Sequence, residues 1–384
     1  MAAYKAQAQK IFNEAYGAWE QIRNYSLPHV DLEVVTKQWA IDTWGKGYAQ
    51  QNLPAIMIEQ NIYQGLFLIA QNRSLYQATV NWAGNYVAAT WEGKIYVVKE
   101  NFNPWNLPSA EATFVHELTH IWQHEIPSAT TFDQDKAHTA LIEGDATFMQ
   151  DTYINRTKAG LISTNQPTAS PEVPSDIIML GEVYPDTLSN LDYFPYTQGE
   201  IFINAVHKEG GFSAVNQAYT SGYVPNTTAQ ILNPQLYFDN VGAEKVDLPT
   251  PTEGNWTQMQ TSYGLKYNTY GEYFIQDLLG NWLPQFQAQA ISAGWRGDNF
   301  TYYQAGGNST YLFTWKIQWN NATAANQFLN AFETMAKDAQ ATVEGSNQWF
   351  SNGRYLSITE DPQTNSTFIA CSTLQTAVQP TYFN

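Results

Sequence analysis

The stretch Ala112 to Glu125 constrains this chain more than any other, because it sets two histidines four residues apart around a glutamate: His116-Glu117-Leu118-Thr119-His120. On an α-helix, residues four apart share one face, one turn above the other. His116 and His120 can then aim two imidazole nitrogens at one metal ion. Glu117, about a quarter of a rotation away, reaches past the metal to a water and can take its proton. The helix is signalled independently. Asn106-Leu-Pro-Ser109 supplies stop and start signals, with Ser109 the expected N-cap and Glu111 in the first turn. Val115, Leu118 and Trp122 recur at helical spacing, Pro127 ends the run, and Lys94 to Val98 just before it reads as a strand.

A catalytic zinc takes three protein ligands and an open position. His124 is one turn beyond His120, but at about 1.5 Å rise per residue it lies roughly 12 Å from His116, beyond what bonds of about 2 Å can bridge. It is expected at the helix end, favoured there by the helix dipole. Glu143 is the better third ligand. It sits in a second helix expected over 133–155, whose inward stripe is Ala137, Ala140, Leu141, Gly144 and Phe148. A carboxylate among such small and apolar neighbours needs a partner. The expected chemistry is zinc-dependent peptide hydrolysis, with Glu117 as general base and then as proton donor to the leaving amine.

His-Glu-x-x-His followed after 22 residues by Glu resembles the gluzincin metallopeptidases. More closely, the chain resembles a group of bacterial and archaeal metallopeptidases of unassigned activity, whose helices read H-E-L-T-H, followed by Gln, and E-G-[DE]-A. Phe194-Pro-Tyr196 with Gly199 and Phe202, the segment from Pro225 to Pro234, and Ala293 to Asp298 with Trp315, Phe328 and Phe332 match further segments of that group. The resemblance implies a zincin-like α+β core with an active-site helix pair and a mostly antiparallel sheet. The strand before the site helix would be an edge strand that takes up the substrate backbone. The chain departs from the pattern in two places. Thr147 stands where thermolysin-like enzymes carry an Asp that orients a ligand histidine, and Asn233 replaces a His. The oxyanion also needs a donor. Tyr196 is the first choice and His207 the second, and His138 is expected to face solvent.

Charged residues make up only 14% of the chain, aromatics 15%, and the net charge is −17. That charge argues against a nucleic-acid partner, which requires basic surface. No apolar run reaches the length of about 18 residues expected of a membrane span. The single cysteine, Cys371, excludes an internal disulfide and reads as a small buried hydrophobe. Nine Asn-x-Ser/Thr sequons, at Asn24, Asn72, Asn155, Asn226, Asn255, Asn299, Asn308, Asn321 and Asn365, exceed chance and point to a glycosylated, secreted protein. Low charge with many Asn, Gln, Thr and Tyr resembles exported proteins of acid-living archaea. The other expectation is a glycosylated cell-surface protein that keeps a zinc site without peptidase activity. Arg296-Gly-Asp298 spells an adhesion tripeptide, but its context matches the metallopeptidase group.

Three regions are expected. The first, 1–107, carries a helix over 3–24, a strand-like run over 34–39, a helix over 56–70 and a hairpin over 85–98. The second, 108–245, holds the site helices, a long loop over 158–187 and a helix over 199–209. The third, 246–384, begins in the Pro- and Gly-containing stretch 246–254. It carries helices over 272–290 and 324–340, with strands at 301–303 and 311–319. The element order fits α+β.

Overall fold

In the computed structural model, residues 2–162, 186–261, 264–306 and 309–384 are described. Most of the expected loop 158–187, together with Asn308, lies outside the described residues. The architecture is α+β. Helix α1 (Ala2–Arg23) buries Ile11, Phe12, Ala15 and Trp19 along one side. Strand β1 (Leu32–Val35) is shorter than expected. Thr36 caps a short helix by accepting from the Trp39 N–H, and the local hydrogen bond turns the chain out of the strand. Helices α2 (Leu53–Gly65) and α3 (Leu75–Trp82) follow. The hairpin forms as expected: β2 (Ala88–Trp91) and β3 (Lys94–Val98) are joined by Glu92 and Gly93 at φ of 49° and 73°. Positive φ at both central positions is what a tight two-residue hairpin requires.

The order of this sheet is β1-β3-β2, with β1 parallel and β2 antiparallel to β3. The strand before the site helix is therefore central rather than an edge. Nothing in the local sequence foretells that β1 inserts on its outer side. Among the described residues the outer sides of both β1 and β2 are unpaired.

Helix α4 (Leu107–Trp122) carries the two histidines and α5 (Phe132–Lys158) carries Glu143. Helix α6 (Asp186–Ala218) crosses α5 and breaks at Gly210 and Gly211. Ser109 is not the N-cap. Asn106 holds that position and Pro108 lies in the first turn, where a missing N–H costs nothing. Glu111 is consequently buried, and Tyr153 donates to it at 2.5 Å, tying α4 to α5.

The C-terminal half builds on helix α7 (Gly271–Gly280), strands β4 (Trp295–Ala305) and β5 (Thr310–Trp319), helix α8 (Ala322–Asp338), and strands β6 (Thr342–Gly345), β7 (Gln348–Ser351), β8 (Arg354–Asp361) and β9 (Ser366–Ser372). The sheet runs β4-β5-β9-β8-β7-β6 with all neighbours antiparallel, and two short strands join β4 on its outer side. The helix expected over 272–290 is two helices separated near Pro284.

Two large apolar cores result. One gathers α1, β2, β3, α4, α5 and α6. The other gathers α2, α3, α7, α8 and the C-terminal sheet. The expected N-terminal lobe thus contributes to both, and packing crosses the expected boundaries. At the seam, Asp133 opens α5. Its carboxylate accepts from Thr228 N and Oγ1 at 2.8 and 2.6 Å. It lies so close to Gly271, at φ 82°, that any Cβ there would collide with it. Asp298 accepts from Tyr270 N, Gly271 N, Trp295 Nε1 and Trp315 Nε1 at 2.8 to 3.0 Å. That buried role leaves the Arg-Gly-Asp tripeptide unavailable for adhesion. Cys371 is buried as expected, its thiol pushed up to about 12 mainly by burial.

Candidate metal centre

Helix α4 turns its two faces to different tasks. Thr119 faces α1, accepting from Trp19 Nε1 at 2.9 Å and donating to Val115 O at 2.8 Å. His116 and His120 face α5, with ring centroids 4.9 Å apart. Glu143 Oε2 lies 3.2 Å from His116 Nε2 and 3.4 Å from His120 Nε2. One donor atom from each of the three residues fits within 4.8 Å, so the group could hold a metal ion. The donor set of two imidazoles and one carboxylate matches a three-ligand zinc centre.

The close approach rests on glycine. Gly144, beside the candidate ligand Glu143, and Gly199 on α6 meet backbone to backbone, and a Cβ on either would collide with the facing helix. The crossing brings Tyr196 over the site, where its ring stacks on His116 at 6.0 Å and 15°. Burial, and then the Glu143 charge, push the Tyr196 phenol well above its ordinary value, so it keeps its proton. His207 does not reach this place. It packs between Phe148 and Phe212, at 4.9 Å from each ring, in the field of Arg23 and Asp145. His124 is exposed just past the helix end, edge-on to Trp122. His138 is buried rather than solvent-facing, and its Nε2 has no partner.

Glu117 is only 5% exposed. Thr90 Oγ1, on β2, lies 2.8 Å from Glu117 Oε2 and 3.0 Å from its backbone carbonyl. The hydroxyl thus fixes the Glu117 carboxylate against the hairpin. Burial acts to keep His120 neutral, but the Glu143 carboxylate outweighs it and pushes His120 up to about 10. Burial likewise acts to raise Glu143, and the two histidines hold it well below the usual carboxylate range. Glu143 and His120 thus favour each other's charged forms, and a bound metal would take over the positive charge.

Sequence reasoning did not single out three neighbours as working parts. Thr90 is one. Tyr86 is another, pushed up to about 12 by burial and by the Asp192 and Glu143 charges. Both arrive on the hairpin, with no local signal linking them to the site. The third is Gln123, whose Oε1 lies 2.9 Å from His120 Nδ1 and whose Nε2 donates to Ile142 O at 2.7 Å. Its three-residue offset from His120 was a usable signal.

Asn24, Asn72, Asn155, Asn226, Asn255 and Asn321 are exposed, whereas Asn299 and Asn365 are half-buried. Asn299 also donates its amide to Val246 O at 2.8 Å. Among the described residues no helix is long and apolar enough to cross a membrane.

A family model described as a domain of unknown function (DUF8575) matches residues 259–370, which span α7, α8 and most of the C-terminal sheet but none of the three candidate ligands. No curated protein and no solved structure matches the chain.

Proposed function

We propose that this chain is a secreted zinc-dependent peptidase with a zincin-like site, in which His116, His120 and Glu143 hold the metal and Glu117 is the general base. The convergence of three donor atoms beside a fourth, buried and separately anchored carboxylate carries this reading. A purely structural metal site has no use for that fourth group. Bound there, zinc would supply Lewis acidity to the scissile carbonyl and to the attacking water. Glu117 takes the proton from that water and passes it to the leaving amine. Thr90 holds the Glu117 carboxylate in place during both transfers. Tyr196 keeps its phenolic proton and offers it to the developing oxyanion.

The substrate is an extended polypeptide. Among the described residues nothing pairs with the outer side of β2. That edge also carries Thr90, so a peptide strand added there runs past the general base.

The other reading, a glycosylated surface protein that retains a metal without cleaving anything, is favoured by the six exposed sequon asparagines. A peptide library offered to the zinc-loaded chain, with and without chelator, separates the two. The expected result is chelator-sensitive cleavage. Glu117→Gln should keep zinc yet lose about 100-fold or more in turnover, the usual scale for removing a general base. Undiminished cleavage by Glu117→Gln rejects the mechanism. An intact, zinc-loaded chain that cleaves no peptide supports the surface protein.

A further inference from the structure

The Glu-Gly-Asp sequence places Asp145 two residues after the proposed ligand Glu143, yet Asp145 does not touch either histidine. It forms a buried ion pair with Arg23, Nη1 to Oδ1 at 2.8 Å and Nη2 to Oδ2 at 3.1 Å. A charged carboxylate only accepts hydrogen bonds. Tyr219 Oη, 3.1 Å from Asp145 Oδ2 and 3.3 Å from Leu141 O, faces two acceptors and therefore donates. The group that does reach a histidine is the side chain of Gln123, which has an amide nitrogen and an amide oxygen to place. The same amide nitrogen donates to Ile142 O at 2.7 Å, and a backbone carbonyl also only accepts. That bond turns the Gln123 nitrogen away from α4, so its Oε1 faces His120 Nδ1, 2.9 Å away. An amide oxygen has no proton to give. The proton between them belongs to His120 Nδ1, which leaves Nε2 as the nitrogen that faces Glu143 and can give up its own proton to a metal.

We propose that Gln123 is a positioning residue that fixes His120 as its Nδ1–H tautomer. This deepens the metal reading above and rests on it. Gln123 can reach both groups because α4 ends there: its backbone, at φ −57° and ψ 135°, leaves the helix while its N–H still bonds Thr119 O at 3.0 Å.

The test titrates zinc alone into the full chain and its variants. Gln123→Leu removes the acceptor and should weaken binding by about 10- to 100-fold, the range for lost outer-shell partners. Gln123→Glu still accepts from Nδ1 and should stay within about threefold of wild type, since a carboxylate fills the same outer-shell role in many zinc sites. In the nitrogen-15 spectrum of the cadmium-loaded wild type, His120 should be coordinated through Nε2 and protonated at Nδ1, a readout that general loosening of the fold does not mimic. Equal zinc affinity in folded Gln123→Leu, an equal loss in Gln123→Glu and Gln123→Leu, or coordination through Nδ1 overturns the proposal and leaves the metal site standing. A wild-type chain that binds no zinc overturns both. Should Gln123→Leu fail to fold, the Glu variant and the wild-type spectrum still decide.

Discussion

Glu143 is where coordination and protonation compete. Its carboxylate is held low by the two histidines, and His120 is held up at about 10 by the carboxylate. Binding a divalent cation must therefore displace a proton from the group. Zinc affinity should rise with pH, and calorimetric titrations at about pH 6 and about pH 8, in buffers of different ionisation enthalpy, should show at least about one proton released per metal bound. Affinity indifferent to pH would contradict the displacement of a proton from His120. The candidate histidine pair was legible because helical spacing translates directly into a shared face, and Glu143 because its own helix surrounds it with small and apolar residues. Tyr196 was selected by family resemblance, and it does stack on His116. Thr90 and Tyr86 were not legible, because a hairpin delivers them from a distant part of the chain. His138 was misread because periodicity gives the facing side of a helix but not what packs over its flanks.

At the scale of elements, the site depends on how closely α5 and α6 cross. Gly144→Val inserts a branched side chain where Gly199 leaves no space. Overpacking of this kind costs about 1–3 kcal/mol, so the melting temperature should fall by several degrees. Because Glu143 is the adjacent residue, zinc affinity should fall with it. A Gly144→Val chain with unchanged melting and unchanged zinc affinity would show that the crossing does not set the site. The small residues of the α5 stripe announced a close neighbour, and Gly199 lies in the segment matched to the metallopeptidase group. The insertion of β1 beside β3 was not announced. Strand order is fixed by pairing across long stretches of chain, whereas turn signals report only neighbours in sequence. Strands β6 to β9 also went unread. Two of them are four residues long, one exposed along its whole length, and the two longer ones are buried in runs rather than in alternation.

For the whole molecule, the seam between the two cores is rich in buried acid. Burial pushes Asp133 up to about 7, Asp277 to about 7 and Glu272 to about 8. A carboxyl raised in the folded state favours folding while it is protonated, and that advantage disappears as pH climbs through its folded value. The chain should therefore melt at a higher temperature near pH 5 than near pH 8. The double variant Asp133→Asn, Asp277→Asn should flatten that slope, and an unchanged slope would remove these groups as its cause. The trend opposes that of the metal site, which weakens in acid, so activity should peak between the two. This pairing of an acid-favoured fold with a proton-sensitive centre gives the low-charge composition a physical consequence.

The central claim is that His116, His120 and Glu143 jointly hold one metal ion. Elemental analysis of the full chain, purified after exposure to zinc and freed of unbound ions, tests it most directly. The account requires one zinc per chain in the wild type and none in His120→Ala or Glu143→Ala, both still folded. A wild-type chain without zinc, or variants that retain it in full, would contradict the account.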